Sequence, residues 1–175
     1  MEAAAKGVTD EPEGAAREAV WKWKRGKILG SGSFGRVYLG LNEKNGQMLA
    51  VKSISLDSQD ALNQMPLLER EIRLMKSLHH PNIVNYLGAE KFGGDLNLFL
   101  EYVPGGSVES TLRMFGAFSE PVTRSFSRQC LSGLDYLHKN DIIHRDIKSA
   151  NLLLSEGGVV KLADFGLSKK LGEKT

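Results

Sequence analysis

Cysteine is nearly absent from this chain. Cys130 stands alone among 175 residues, which excludes an internal disulfide and a cysteine-rich metal site and fits a reducing compartment. Its helical apolar surroundings predict a buried structural thiol rather than a reactive one. An excess of one charge is also lacking: 23 basic against 21 acidic residues give a net charge of +2. No field arises that would draw nucleic acid or a membrane surface. No window of the sequence approaches the apolar length needed to span a bilayer. The opening MEAAAKGVTDEPEGAAREAV carries acids and has no apolar centre of the kind a secretory signal needs. No internal repeat occurs. These absences together predict a cytoplasmic protein with neither nucleic acid nor membrane as partner.

What is present fits one domain, since a chain of this length buries about 70% of its unfolded surface on folding. Residues 1–20, rich in Ala, Glu and Gly without an apolar face, predict a disordered tail, with order beginning at Trp21. From Trp23 to Leu56 the pattern predicts three strands, one running into a glycine cluster, one over 36–41 and one over 47–56. Asn42 to Gly46 supplies hairpin chemistry between the last two. Leu68, Ile72, Met75 and Leu78 fall three and four apart, predicting a helix that starts after Pro66. Strand-like runs follow at Ile83–Leu87 and Leu96–Val103, and the glycine pair 105–106 reads as a hinge. Val122, Phe126, Cys130, Leu134 and Leu137 mark a long helix opened by Ser119 as cap, with Pro121 in its first turn. Asn151–Leu154 and Val159–Ala163 read as short strands around a turn at SEGG.

The glycines of GSGSFGRVYLG, at 30, 32 and 35, imply backbone brought close to a phosphate. Two architectures use that spacing. A dinucleotide-binding fold requires a helix after the glycines and an acid further on. Asp57 could serve as the acid, but residues 36–46 alternate and then turn at Asn45-Gly46, leaving no room for the helix. A glycine-rich hairpin folded over a nucleoside triphosphate remains, with Val37 against the base and Lys52 of LAVK on the phosphates. Ala50 and Lys52 share a strand face, so a small residue and a cation point into one cleft. Glu71, at the edge of the helical stripe, is the carboxylate placed to hold Lys52, although Glu69 or a surface ion pair explains as much taken alone. In IIHRDIKSANLLL a loop between two apolar runs carries Asp146 and Asn151. The aspartate suits an alcohol substrate, and the asparagine oxygen is a hard ligand for magnesium. Lys148 between them can meet a phosphate. Asp164, in ADFG at a strand end, suits a second magnesium contact. His144, beside Ile143, reads as a packed scaffold residue rather than a base. His79, His80 and His138 carry no ligand spacing.

Taken together, these motifs resemble the eukaryotic serine/threonine protein kinase family from about Trp23 onward: GSGSFGRV the glycine-rich loop, LAVK the lysine strand, HRDIKSAN the catalytic loop and DFG the metal-binding segment. HHPNIVNYLG, EYVPGGSV and ADFGLSKK are most similar to the mitogen-activated protein kinase kinase kinase group. The resemblance implies an α+β, protein-kinase-like fold with a complete N-terminal lobe of antiparallel sheet and one regulatory helix. Residues 21–104 would form that lobe and the hinge, and 105–175 the start of a helical C-terminal lobe through DFG, in a C-terminally truncated chain. It further implies Glu101 and Val103 as backbone partners of adenine, Leu100 behind it, Leu153 beneath it and Val37 and Ala50 above. Arg145 would await a phosphorylated segment, and Met75, His144 and Phe165 would form a spine between the halves. ATP and Mg2+ are the implied cofactors. A protein substrate is implied, with a mitogen-activated protein kinase kinase as candidate. The family's activation segment and later helices do not follow DFG, so the Val122–Leu137 helix is expected to expose apolar surface. Three readings therefore stand: an active kinase, a nucleotide- or partner-binding chain without phosphotransfer, and, remotely, a dinucleotide-dependent oxidoreductase.

Overall fold

Alternating side chains and tight turns make the first half of the chain a five-stranded antiparallel sheet. The computed structural model describes residues 21–32, 35–57, 59–165 and 169–170, and the expected tail at 1–20 lies outside the described residues. Strands β1 (Trp23–Gly32), β2 (Gly35–Asn42), β3 (Met48–Ser55), β4 (Tyr86–Phe92) and β5 (Asp95–Glu101) lie in the order β1-β2-β3-β5-β4. The β2–β3 turn is held as the sequence predicts: Gly46 N donates to Asn42 O at 2.8 Å, and the Asn42 side chain accepts from Lys44 N at 2.9 Å.

Register decides which side chains face the cleft. Val37 lies opposite Lys52 and Lys52 opposite Leu98, while Leu39, Ala50 and Leu100 form the next row. Directly opposed residues share a face, so these rows lie on one side. Tyr38, Val51 and Phe99 lie on the other. That outer side is closed by two tryptophans, Trp21 stacked on Phe99 at 4.2 Å and Trp23 edge-on at 6.0 Å. On the inner side Ile54, Leu96 and Leu98 pack with Leu68, Leu74 and Met75 of helix α1 (Gln59–Lys76) and with Leu78 just beyond it.

Helix α1 corrects one expectation. It begins at Gln59, with Pro66 inside it. Proline there removes an intrahelical hydrogen bond, and burial of Leu68, Leu74, Met75 and Leu78 outweighs the loss. The side chains of residues 59–62, 64, 67 and 71 lie outside the described set. Ile83–Leu87 is likewise not one strand: β4 starts at Tyr86, and Ile83 makes a single bridge to Leu162.

The second half contains helices α2 (Val108–Phe115) and α3 (Glu120–Lys139) and the short strands β6 (Ile142–Ile143), β7 (Leu152–Leu154), β8 (Val160–Leu162) and β9 (Lys169–Lys170). β7 pairs with β8, and β6 with β9. The sequence pattern missed α2, an eight-residue helix whose start is set by a capping box between Ser107 and Ser110. Ser119 does occupy the N-cap of α3, yet its hydroxyl makes no capping bond. Cys130 is half-buried against the main core, and burial raises its thiol pKa. Gln129 of α3 grips β8, its Oε1 accepting from Val160 N at 2.9 Å, and Asn82, in the segment before β4, donates from Nδ2 to Val160 O at 2.8 Å and to Gln129 Oε1 at 3.2 Å. Val122 and Leu131 remain exposed on α3, Leu131 at 64%. Among the described residues no helix is long and apolar enough to cross a membrane.

Candidate active site

The glycine hairpin adjoins the strand that bears Lys52, with Val37 of β2 directly opposite Lys52 of β3. Gly32 pairs with Gly35 at its tip, and Gly30 pairs with Val37. Gly35 has a φ of +133°, and a Cβ there would lie 2.2 Å from Ser53 O, so no other residue fits. A Cβ on Gly30 would meet nothing within 4 Å. The fold does not need glycine at that position, and the space beside it is open to a ligand. A bulge between Ile28, opposite Tyr38, and Gly30, opposite Val37, leaves Leu29 as the extra residue, 39% exposed. Bulges re-aim side chains next to active sites, and Leu29 joins Val37 and Ala50 as an apolar candidate for a flat base. Its adjacency to the glycines in KILGSG was the available signal, and strand alternation alone passes over it.

Lys52 reaches across the cleft. Its Nζ lies 3.5 Å from Asp164 Oδ1, an ion pair spanning 112 positions of sequence, with the lysine side chain 13% exposed. Asp164 follows directly on β8 and Ala163, whose N donates to Asn151 O at 2.9 Å. Glu71, the predicted anchor of Lys52, lies on α1, but its side chain is outside the described residues.

Opposite Lys52 stands the loop between β6 and β7. Asp146 Oδ2 accepts from Lys148 Nζ at 2.7 Å and from Asn151 Nδ2 at 2.9 Å, and Asn151 Nδ2 also donates to Asp146 O at 3.0 Å. The Lys148 hydrogen bond, with that of Asn151, holds the Asp146 carboxyl below the usual carboxylate range, so it is an acceptor at neutral pH. Lys148 is shifted upward, first by its bond to Asp146 and further by the charges of Asp146, Asp164 and Glu109. The amide nitrogen of Asn151 is thus committed to Asp146, and no described hydrogen bond takes its Oδ1. That oxygen and the Asp164 carboxylate are hard donors of the kind magnesium prefers, so the residues present fit the ion. Two of the three described non-glycine residues with left-handed backbone, Arg145 (φ 66°) and Asp164 (φ 64°), belong to these two loops. Each such conformation costs about 1–3 kcal/mol and tends to mark functional sites.

His144 sits beneath as scaffold. It is 1% exposed, with Nε2 3.2 Å from Ala163 O and Nδ1 accepting from Asp146 N at 3.3 Å. Those bonds assign the neutral tautomer with hydrogen on Nε2, in line with burial lowering its pKa. Its ring tilts against Phe165 at 5.1 Å, and Phe165 shares a core with Met75.

At the hinge, Gly105 N donates to Leu154 O at 2.9 Å and Leu154 N to Gly106 O at 2.8 Å, so the chain leaving Glu101 and Val103 is stitched to the strand bearing Leu153. Leu153 itself is half-buried. The carbonyl of Glu101 and the N–H of Val103 are the candidate partners of a base edge. An open cavity of about 300 Å3 on the first turns of α3, lined by Glu120, Pro121, Arg124, Ser125 and Arg128, contains none of these residues.

Residues 23–175 match the family described as protein kinase domain. The chain is 51% identical over 158 residues to the mitogen-activated protein kinase kinase kinase MST11 of Pyricularia oryzae, covering 86% of this chain and 17% of that protein. It is 46% identical to mitogen-activated protein kinase kinase kinase 3 of Arabidopsis thaliana over 87% of this chain and 24% of the relative. The serine/threonine-protein kinase STE11 of Saccharomyces cerevisiae is 43% identical over 85% of the chain, which spans 26% of that protein. The chain thus spans about a sixth to a quarter of the length of these relatives.

Proposed function

The chain belongs to the protein kinase domain family, and from that premise we propose that its cleft transfers the γ-phosphate of ATP to serine or threonine hydroxyls of a protein. The relatives are named mitogen-activated protein kinase kinase kinases, so the substrate we favour is a mitogen-activated protein kinase kinase in the cytoplasm. The observation that carries the reading is the approach of Lys52 to Asp164 beside the Asp146, Lys148 and Asn151 cluster.

The geometry supports the following assignment of roles. Leu29, Val37 and Ala50 line the roof and Leu153 the floor for adenine, with the backbone of Glu101 and Val103 at its edge. Lys52 and the glycine hairpin fix the phosphates by charge and backbone N–H groups. Asn151 Oδ1 and the Asp164 carboxylate are the donors for magnesium, which when bound neutralises phosphate charge. Asp146 keeps Oδ1 for the incoming hydroxyl, because Oδ2 is occupied by Lys148 and Asn151. It orients that oxygen and accepts its proton as the bond to phosphorus forms and the bond to the ADP oxygen breaks. Lys148, at the same point, meets the transferring group. The work is positioning and charge stabilisation.

A second reading, binding of nucleotide or partner without transfer, is favoured by the exposed Val122 and Leu131 of α3. The two separate in one assay: incubation of the 175-residue chain with Mg-ATP carrying a labelled γ-phosphate and a generic basic protein. Transfer that disappears in Asp146→Asn supports the kinase; binding of Mg-ATP without transfer supports the alternative.

A further inference from the structure

One buried cation plays no part in the chemistry above. Lys161, in the middle of β8, is 8% exposed, and its Nζ lies 2.9 Å from Glu101 Oε1 and 3.0 Å from Oε2. The same carboxylate accepts at Oε2 from Asn85 N at 3.1 Å and Asn85 Nδ2 at 3.0 Å, while Glu101 N donates to Asn85 O at 2.9 Å. Glu101 is therefore held from two sides, by β8 and by the segment entering β4.

Placement gives this ion pair its meaning. Lys161 lies opposite Leu153 in the β7–β8 ladder, so the two side chains share a face, with the adenine floor beside the ammonium. Three residues further on, the same chain delivers Asp164. The base end and the phosphate end of the cleft are thus referenced to one short strand. Desolvating an ammonium and a carboxylate is unfavourable, and an apolar pair of similar size often stabilises a fold as well or better. What the ion pair adds is direction, since three donors fix where the carboxylate, and with it the Glu101 backbone, must sit.

We propose that Lys161 is a positioning residue that clamps Glu101 and so sets the height of the adenine-reading backbone at 101–103 over Leu153. The proposal rests on the nucleotide-cleft reading above, and its test has one arm that needs no nucleotide. The variants are Lys161→Met, which strands a carboxylate, and Lys161→Met with Glu101→Leu, which restores an apolar contact and keeps the fold testable. In the ligand-free chain, hydrogen exchange at the backbone amides of Glu101, Tyr102, Val103 and Gly105 is expected to speed up about tenfold in both. Calorimetry is expected to show adenosine binding weakened about tenfold in the double variant, with magnesium tripolyphosphate binding unchanged. Restoration of both hinge protection and adenosine affinity by the apolar pair would overturn the clamp, because the ion pair would then serve stability alone. Equal loss for adenosine and tripolyphosphate would overturn it as well. An unsubstituted chain that binds neither adenosine nor Mg-ATP would count against the nucleotide cleft, while the exchange rates still decide the clamp.

Discussion

Gly133→Ala sets two effects of opposite sign against each other. Gly133 lies inside α3, where replacing glycine by alanine ordinarily stabilises a helix by about 1 kcal/mol. Here an added Cβ would lie 2.8 Å from Leu162 Cδ1 and 2.9 Å from Asn82 O. The leucine methyl can rotate away. The Asn82 carbonyl is fixed, because it accepts from Leu162 N at 2.9 Å, while Leu162 O in turn accepts from Val84 N. Overpacking of this kind costs about 1–3 kcal/mol, and with a backbone atom as the obstacle the upper part of that range applies. The net expectation is a loss of about 1–2 kcal/mol, or about 2–8 °C in melting temperature for a chain of this size. Urea denaturation measures it as a lower midpoint at unchanged slope. Ser127→Ala, at an exposed position of the same helix, is the control and should be neutral or slightly stabilising. Because β8 runs directly into Asp164, Mg-ATP affinity should fall with stability. A Gly133→Ala chain as stable as the control, or more so, would refute the close approach of α3 to β8.

Other substitutions probe other parts of the account. Asp146→Asn should lower phosphotransfer about 10²–10⁴-fold while Mg-ATP affinity by calorimetry stays nearly the same, since the amide oxygen still accepts from Lys148. Gly35→Ala places a side chain at φ +133° against Ser53 O and should lose about 1–3 kcal/mol in a thermal melt. His80 accepts Asn82 N–H at Nδ1, 3.1 Å away, and burial lowers its pKa. The unfolded chain then binds more protons than the folded one below about pH 6.5, so stability is full above that value and declines as pH falls toward the folded pKa. Melting temperatures between pH 8 and pH 5.5 should trace this slope, and His80→Asn, which keeps an acceptor, should flatten it; the remainder belongs to His144, shifted the same way.

Much of this was legible in the sequence because it is local. Alternation at Val37, Leu39 and Leu41 and at Ala50 and Lys52 gave β2 and β3, and the Asn45-Gly46 turn excluded a crossover helix. Asp146, Lys148 and Asn151 were readable as a group because five residues of loop hold them together. Pro66 misled by a local rule that packing of Leu68 and Leu74 overrides. Helix α2 escaped because eight residues give little periodicity, and its capping box uses Ser110 in place of the usual acid. Leu29 was hidden by a bulge, which breaks alternation without leaving a mark in composition. The Lys161 and Glu101 pair lies 60 positions apart, and no spacing rule connects a lysine in a three-residue strand with a carboxylate at the far end of the sheet.

The central claim is that Lys52, Asp146, Asn151 and Asp164 surround one magnesium-bound triphosphate. Thermal unfolding of the 175-residue chain with and without Mg-ATP addresses it directly. At 100 times the dissociation constant the ligand should stabilise the native state by about 2.7 kcal/mol, and Asp164→Asn should remove most of the magnesium-dependent part. No shift in the unsubstituted chain, or an equal shift in Asp164→Asn, would contradict the claim.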